Sequence, residues 1–461
     1  MIGLGRLLKK GKAIAPVRLI VSSFVLIILV GTILLMLPVS ARNGHPTAIV
    51  DAFFTAVSAT CVTGLVVFDT WTHWSEFGQA VILLLIQVGG LGVITITTGF
   101  TILVRRRLGL RDMQIAMENT SGNTVNIYHL VRTILAFTLS CEFAGALLLS
   151  IRFVPQFGPY GVWIAVFEAV SAYCNAGFDI LGFRWRDGSL IGYTGDPLVS
   201  CVIAALIITG GLGFIVITDL FNAKIKPCVQ KKKPGHLSLH STIVLLMTAV
   251  LLVLGTVLFL VMEYTNTLDG LNFLEKLNAS FFQSASMRTA GFASVNIGAE
   301  HDITKILTII FMFIGASPAS TGGGIKTTTF VVLAATVISV IRGHEDTIIL
   351  KRRIDKSVVY RSLAIVTVAM LIVVVSAGVI LLTNNERIGA IDALFEAVSA
   401  FGTVGLTTGI TQILSPASKL FLCLTMFIGR VGPVSLGLAI VGKKGRNKAI
   451  AVRPEGKIIV G

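Results

Sequence analysis

Four eleven-residue segments that open with Phe and close with Gly recur at near-constant spacing along the whole chain. They are FTAVSATCVTG at 54–64, FEAVSAYCNAG at 167–177, FFQSASMRTAG at 281–291 and FEAVSAFGTVG at 395–405. The closing glycines, Gly64, Gly177, Gly291 and Gly405, lie 113, 114 and 114 residues apart. A quarter of the 461 residues is about 115, so one unit repeated four times accounts for the sequence. The period is far longer than the roughly 20–50 residues of solenoid repeats, so each unit contains several elements.

The elements are membrane spans. Only 13% of the residues are charged and 54% are hydrophobic, against about 25% charged in a soluble domain; a soluble enzyme is excluded. Apolar stretches near 18–38, 79–104, 131–151, 198–220, 243–262, 304–341, 358–382 and 419–441 each supply the roughly 20 helical residues that cross a bilayer. The first has too long an apolar core for a signal peptide and no small-residue cleavage site after Pro38, so it reads as a retained helix. Inside each pair of spans sits a shorter apolar piece, at 51–63, 163–176, 278–290 and 392–404, which carries a Phe-to-Gly segment. Such pieces do not cross, and irregular backbone at membrane depth is tolerated only against protein or a water-filled cavity.

The net charge of +15 follows the same plan. Basic residues gather before the first span (Arg6, Lys9, Lys10, Lys12, Arg18), at 105–132, 222–240 and 342–361, and after 442. The intervening loops 39–50, 154–161 and 407–418 are nearly free of them. This alternation is the positive-inside pattern, with both termini cytoplasmic in a cell membrane; a nucleic-acid surface would gather its charge on one face. The six cysteines form no CxxC pair, and the seven histidines are scattered, so neither disulfides nor a transition-metal site is expected.

Each short segment suggests a helix that enters the membrane and ends at its centre. Asp51 and Asp392 lie three residues before Phe54 and Phe395, where a carboxylate suits a helix N-terminus. The carbonyl end then points inward, and the closing glycine permits a backbone with positive φ. Four such ends can present rings of carbonyl oxygens that replace the hydration shell of a monovalent cation. The alternative, glycines that allow helices to approach closely, predicts glycines four apart on a spanning helix instead.

These four segments, each between two spans, resemble the superfamily of Trk, Ktr and HKT potassium transporters over nearly all of 15–442. Within it, the chain is most similar to the bacterial Ktr-type membrane subunit, since only a short basic arm precedes the first repeat. The resemblance implies an all-α polytopic membrane protein with four outer-helix, pore-helix, inner-helix repeats around one central pore. The expected division is an arm at 1–17, repeats at 18–104, 129–221, 241–342 and 358–442, and a tail at 443–461. The implied filter residues are Val62, Thr63, Gly64, Asn175, Ala176, Gly177, Thr289, Ala290, Gly291, Thr403, Val404 and Gly405. Glycine at all four closing positions implies potassium as the transported ion, with sodium a candidate activator and no cofactor in this chain. The partners implied are a second copy in a homodimer, membrane lipid and a cytosolic ring of nucleotide-binding regulatory subunits.

Two features break the repeat. The stretch 304–341 would make a helix of about 57 Å, and its middle contains Gly315, Ala316, Ser317, Pro318, Gly322, Gly323 and Gly324. Proline and three consecutive glycines do not hold a helix, so 315–324 is expected as an intramembrane loop, and the resemblance makes it the gate. A phosphate loop is excluded because Ile325 separates Gly324 from Lys326. The second feature is Arg430, a charge inside the eighth span that must face the bundle interior or water. It is read either as a strut paired with Glu142 or as a positive barrier below the filter. Arg288 is expected to pair with Glu168 or Glu396. No residue set suggests catalysis. The competing function is a sodium-coupled symporter of another solute, a class often built from inverted repeats.

Overall fold

A computed structural model describes residues 16–92, 127–184, 189–230, 235–384, 388–433 and 437. The basic arm, the ends of the second and eighth stretches, most of the basic segment 105–132 and the tail lie outside the described residues.

Among them, fourteen helices of seven residues or more are numbered here. The first repeat holds α1 (Pro16–Met36), α2 (Ile49–Cys61) and α3 (Glu76–Leu91). The second holds α4 (Ile127–Phe157), α5 (Tyr160–Cys174), α6 (Pro197–Leu212) and α7 (Phe214–Leu220). The third holds α8 (Leu239–Glu263), α9 (Phe273–Ser286), α10 (Asp302–Phe313) and α11 (Thr327–Ile341). The fourth holds α12 (Lys356–Thr383), α13 (Ala390–Gly402) and α14 (Pro416–Val431). Residues 131–157, α8 and α12 are long and apolar enough to cross a membrane. Their outward side chains, such as Val261 at 71% and Leu382 at 84% exposure, are hydrocarbon, as lipid contact demands.

The packing is cyclic. The outer helices α1, α4, α8 and α12 each pack on the short helix that follows them: α2, α5, α9 and α13. Each inner helix reaches the short helix of the next repeat: α3 packs on α5, α6 on α9, α10 on α13, and α14 returns to α2. The last seam has its own buried cluster, with Phe54 and Cys61 from the first repeat against Leu422 and Met426 from the fourth.

The inner helices are shorter than the sequence suggests. Side chains that accept from backbone N–H groups start three of them, namely Ser75, Asp196 and Ser415, the usual N-cap chemistry. They stop after 16 residues at glycines with φ of 76°, 88° and 89°: Gly92, Gly213 and Gly432. After Gly213 the chain turns by 96°. The first, second and fourth repeats, and not the third alone, therefore end their inner helix early, at a glycine of positive φ.

Candidate functional site: four turns above a loop

The short helices α2, α5 and α13 end alike. Thr63, Ala176 and Val404 donate their N–H to the carbonyls of Ser58, Ser171 and Ser399, each at 2.8 Å. The intervening residues Val62, Asn175 and Thr403 are left-handed, with φ of 58°, 59° and 49°. This 6→1 bond around a left-handed residue is the Schellman ending, made here without glycine. Holding a β-branched Val62 or Thr403 in that conformation costs about 1–3 kcal/mol.

The third repeat is one residue tighter. Ala290 donates to Ser286, four residues back at 3.0 Å, although Thr289 is again left-handed at φ 66°. Phe282, not the expected Phe281, takes the buried place of Phe54, Phe167 and Phe395. The register set by the Phe-to-Gly count is thus off by one at the phenylalanine of this repeat.

The closing glycines follow at φ of 94°, 68°, 82° and 95° for Gly64, Gly177, Gly291 and Gly405. None has room for a side chain, because the carbonyl oxygen of the next repeat fills the space. Ala176 O abuts Gly64, Ala290 O abuts Gly177, Val404 O abuts Gly291, and Thr63 O abuts Gly405. The twelve candidate filter residues form one closed ring of four turns, all fully buried in the protein. Serines brace the turns in two ways. Ser58 and Ser399 accept from the N–H of Gly64 and Gly405 at 3.1 Å. Ser171 and Ser286 instead donate to the carbonyls of Phe178 and Phe292 at 2.6 and 2.5 Å.

The expected ion pairs beside the ring are not made. Arg288 donates to Thr248 Oγ1 at 3.0 Å, Glu168 accepts from the N–H of Ile180 at 3.1 Å, and Glu396 accepts from Thr411 Oγ1. Each acid fastens its short helix to the loop that follows it. Two ion pairs run between repeats instead: Lys305 to Asp392 at 3.3 Å and Lys419 to Asp51 at 2.8 Å. The corresponding position in the first repeat, Gln79, accepts from Tyr160 and Trp163.

On the side of the loops that follow the turns, the four glycines line a cavity of about 160 Å³ that also carries Asp69 and Asp179. Among the described residues no Lys or Arg lines it, and a concave site lined by carboxylates concentrates cations.

On the opposite side, the loop expected at 315–324 lies against the ring. Gly323 donates its N–H to Thr403 Oγ1 at 3.0 Å, and Gly322 lies against Thr289 Oγ1. Ser317 and Thr321 donate to the carbonyls of Gly211 and Gly210 at 3.2 and 3.3 Å. Ala316 O accepts from Thr327, Pro318 O abuts Gly213, and Gly315 and Gly324 pack against each other. Lys326, not singled out in the sequence, donates to Gly322 O at 2.7 Å.

Arg430 does not meet Glu142. Its guanidinium donates to Thr321 O of the loop and to the carbonyls of Gly89 and Gly90 in α3. The sequence holds the signal for this position in GGLG at 89–92, GGLG at 210–213 and GRVG at 429–432. The first glycine of each abuts the carbonyl of Thr60, Tyr173 or Phe401 near the end of a short helix. Arg430 stands where the first two repeats have a second glycine.

Four short helices whose carbonyl ends meet at a ring, between an acidic mouth and a loop held by Lys326 and Arg430, define a cation-conducting membrane protein. The family model for TrkH, described as a cation transport protein, matches residues 12–447, and the chain belongs to that family. The chain is 39% identical to the Ktr system potassium uptake protein B of Bacillus subtilis, over 97% of both chains. It is 38% identical to the potassium/sodium uptake protein NtpJ of Enterococcus hirae, over 98% of both. The crystal structure of the potassium transporter TrkH from Vibrio parahaemolyticus superposes with a TM-score of 0.71 over 94% of this chain and 86% of that one, at 16% identity.

Proposed function

We propose that this chain is the membrane subunit of a potassium uptake system, and that Gly64, Gly177, Gly291 and Gly405 with the two residues before each form its selectivity filter. The observation that carries this reading is the closed ring in which each glycine is filled by the next repeat's carbonyl. A ring of backbone carbonyls selects by cavity size or by the number and field of its oxygens. Loop 315–324 with Lys326 and Arg430 is the gate. It lies directly against Thr289 and Thr403 and places two positive charges on the path. Both termini face the cytoplasm, by the charge pattern of the loops.

The names of the relatives support the substrate and the wider assembly. Potassium uptake proteins match over nearly the full chain, and the name "Ktr system" denotes a protein that works with others. A homodimer docked on a cytosolic nucleotide-binding ring is the assembly proposed here, with the exposed Arg342, Lys351, Arg352 and Arg353 as contact points. Sodium is a candidate activator or second permeant ion, since the Enterococcus relative is named for both ions.

The test is uptake of radioactive rubidium into proteoliposomes that hold potassium, with no other solute gradient. Uptake that appears without a co-solute and is competed by potassium supports the reading; uptake that needs a co-solute establishes the symporter.

A further inference from the structure

Glu142 is a carboxyl group buried at membrane depth whose partners are an amide and a thiol. It sits in the middle of α4 at 6% exposure. Gln87 Nε2, from α3, lies 3.0 and 3.2 Å from its two oxygens. Cys174, the last residue of α5, points its Sγ at Glu142 Oε1 (3.9 Å) and at Gln87 Oε1 (3.8 Å). No cation reaches it among the described residues. An ionised carboxylate without a cation is costly at this depth, and an intramembrane acid is a functional candidate by default.

The surroundings tie this group to the gate. Besides Gln87 and Cys174, the titratable groups that face it are Cys141 on its own helix and Tyr173 on α5, whose hydroxyl accepts from Thr138. From α6, Leu206 packs on Gly145 and brings no charge. Cys174 Sγ fills the space beside Gly90, and Gly90 O accepts from Arg430 Nη2 at 3.4 Å. The same guanidinium holds Thr321 of loop 315–324. From acid to gate, the sequence of contacts is Glu142, Cys174, Gly90, Arg430, Thr321.

We propose that Glu142 is a proton-binding site that controls the gate. This rests on the gated cation flux proposed above. With the proton bound, Glu142 is neutral and Arg430 remains on the carbonyls of Thr321 and Gly89. Loss of the proton to pore water leaves a carboxylate just beyond Cys174. In a low-dielectric site it attracts the guanidinium, draws Arg430 away from Thr321 and frees the loop.

The experiment is rubidium flux into proteoliposomes of the full chain from about pH 6 to about pH 9, a range that spans titration of a buried carboxyl. Wild-type flux should rise severalfold toward alkaline pH. The Glu142→Gln variant keeps the neutral hydrogen bonds and should hold the acid-side flux at every pH. The Cys174→Ser variant offers the carboxylate a stronger donor and should move the midpoint to lower pH. Pulse infrared spectra across the same range should show a protonated-carboxyl band that is missing in Glu142→Gln. Wild-type flux indifferent to pH, or a Glu142→Gln variant that still responds, overturns the proposal. If Glu142→Gln is not recovered from membranes, an unmoved midpoint in Cys174→Ser overturns it instead. A chain with no rubidium flux at any pH removes the transport reading as well, so the two failures are distinguishable.

Discussion

The carbonyl oxygen of Thr63, in the first turn of the ring, fills the space beside the Cα of Gly405, in the last. Residues more than 340 positions apart in the sequence are thereby fixed in van der Waals contact. The seam is reinforced where Lys419 reaches Asp51 and where Leu422 and Met426 pack with Phe54.

A side chain at Gly405 should therefore disturb two repeats at once. Gly405→Ser places a Cβ against Thr63 O at a φ of 95°; strain of about 1–3 kcal/mol corresponds to roughly tenfold in relative affinity per 1.4 kcal/mol. The expected outcome is a protein that reaches the membrane and loses about tenfold of its potassium-over-sodium preference, read as competition of each ion with rubidium uptake. Wild-type discrimination in this variant would remove Gly405 from the filter.

The inter-repeat ion pair is a structural clamp. Lys419 and Asp51 are 10% and 18% exposed, so Asp51→Asn leaves a buried ammonium unpaired. Loss of about 3–5 kcal/mol is expected, seen as a lower Tm in detergent. A Lys419→Met, Asp51→Leu double variant should recover most of it, because apolar replacement removes both desolvation costs. Additive losses in the double variant would show that the two residues act separately.

The loop should limit flux. Arg430→Ala removes the donor that holds Thr321, and deletion of Ala316–Gly322 removes what it holds. Both are expected to raise rubidium flux severalfold with little change in membrane level. Flux at the wild-type rate in both variants would make the loop a passive part of the wall.

Glu300 gives the structure a pH dependence of its own. It is 4% exposed with neither oxygen paired among the described residues. Burial, reinforced by Glu263 and opposed by Lys305, holds its carboxyl well above the usual range. The folded protein therefore keeps a proton that the unfolded chain releases. Stability should fall as pH rises from the ordinary glutamate value toward the folded one, by at most about 1.4 kcal/mol per unit. Glu300→Gln should match the wild-type Tm near pH 5 and exceed it increasingly toward about pH 8. Equal Tm curves across this range would place the proton elsewhere.

The architecture and the ring were legible because each rests on local chemistry that repeats. Apolar length marks the spans, and a glycine that must adopt positive φ marks each turn. What was not legible depends on partners brought together by the fold. Arg430 and Glu142 look like a pair because both are charges in apolar sequence, yet Gly90 and Cys174 stand between them. Arg288 reads from the sequence as needing an acid, yet its Nη2 donates to a threonine hydroxyl on α8 instead. The tighter third turn is not legible because Phe281 and Phe282 are adjacent and either can start the segment. The GxxG breaks at 89–92, 210–213 and 429–432 are present in the sequence, but glycines in a long apolar run also serve close helix packing and do not by themselves end a helix.

The GRVG of the fourth repeat, against GGLG in the first and second, is a difference that only a single-chain pore can express. In a channel built from four identical subunits, any substitution appears four times around the axis. Four guanidiniums at the position of Arg430 would crowd one another, and four copies of loop 315–324 would compete for the space under the ring. Writing the four quarters in one polypeptide releases them from that constraint. One quarter supplies the loop, another supplies the arginine that holds it, and two glycine-bearing quarters leave room for both. The upper ring keeps near-equivalence because every glycine meets the next quarter's carbonyl in the same way, whereas the lower half is free to divide its labour.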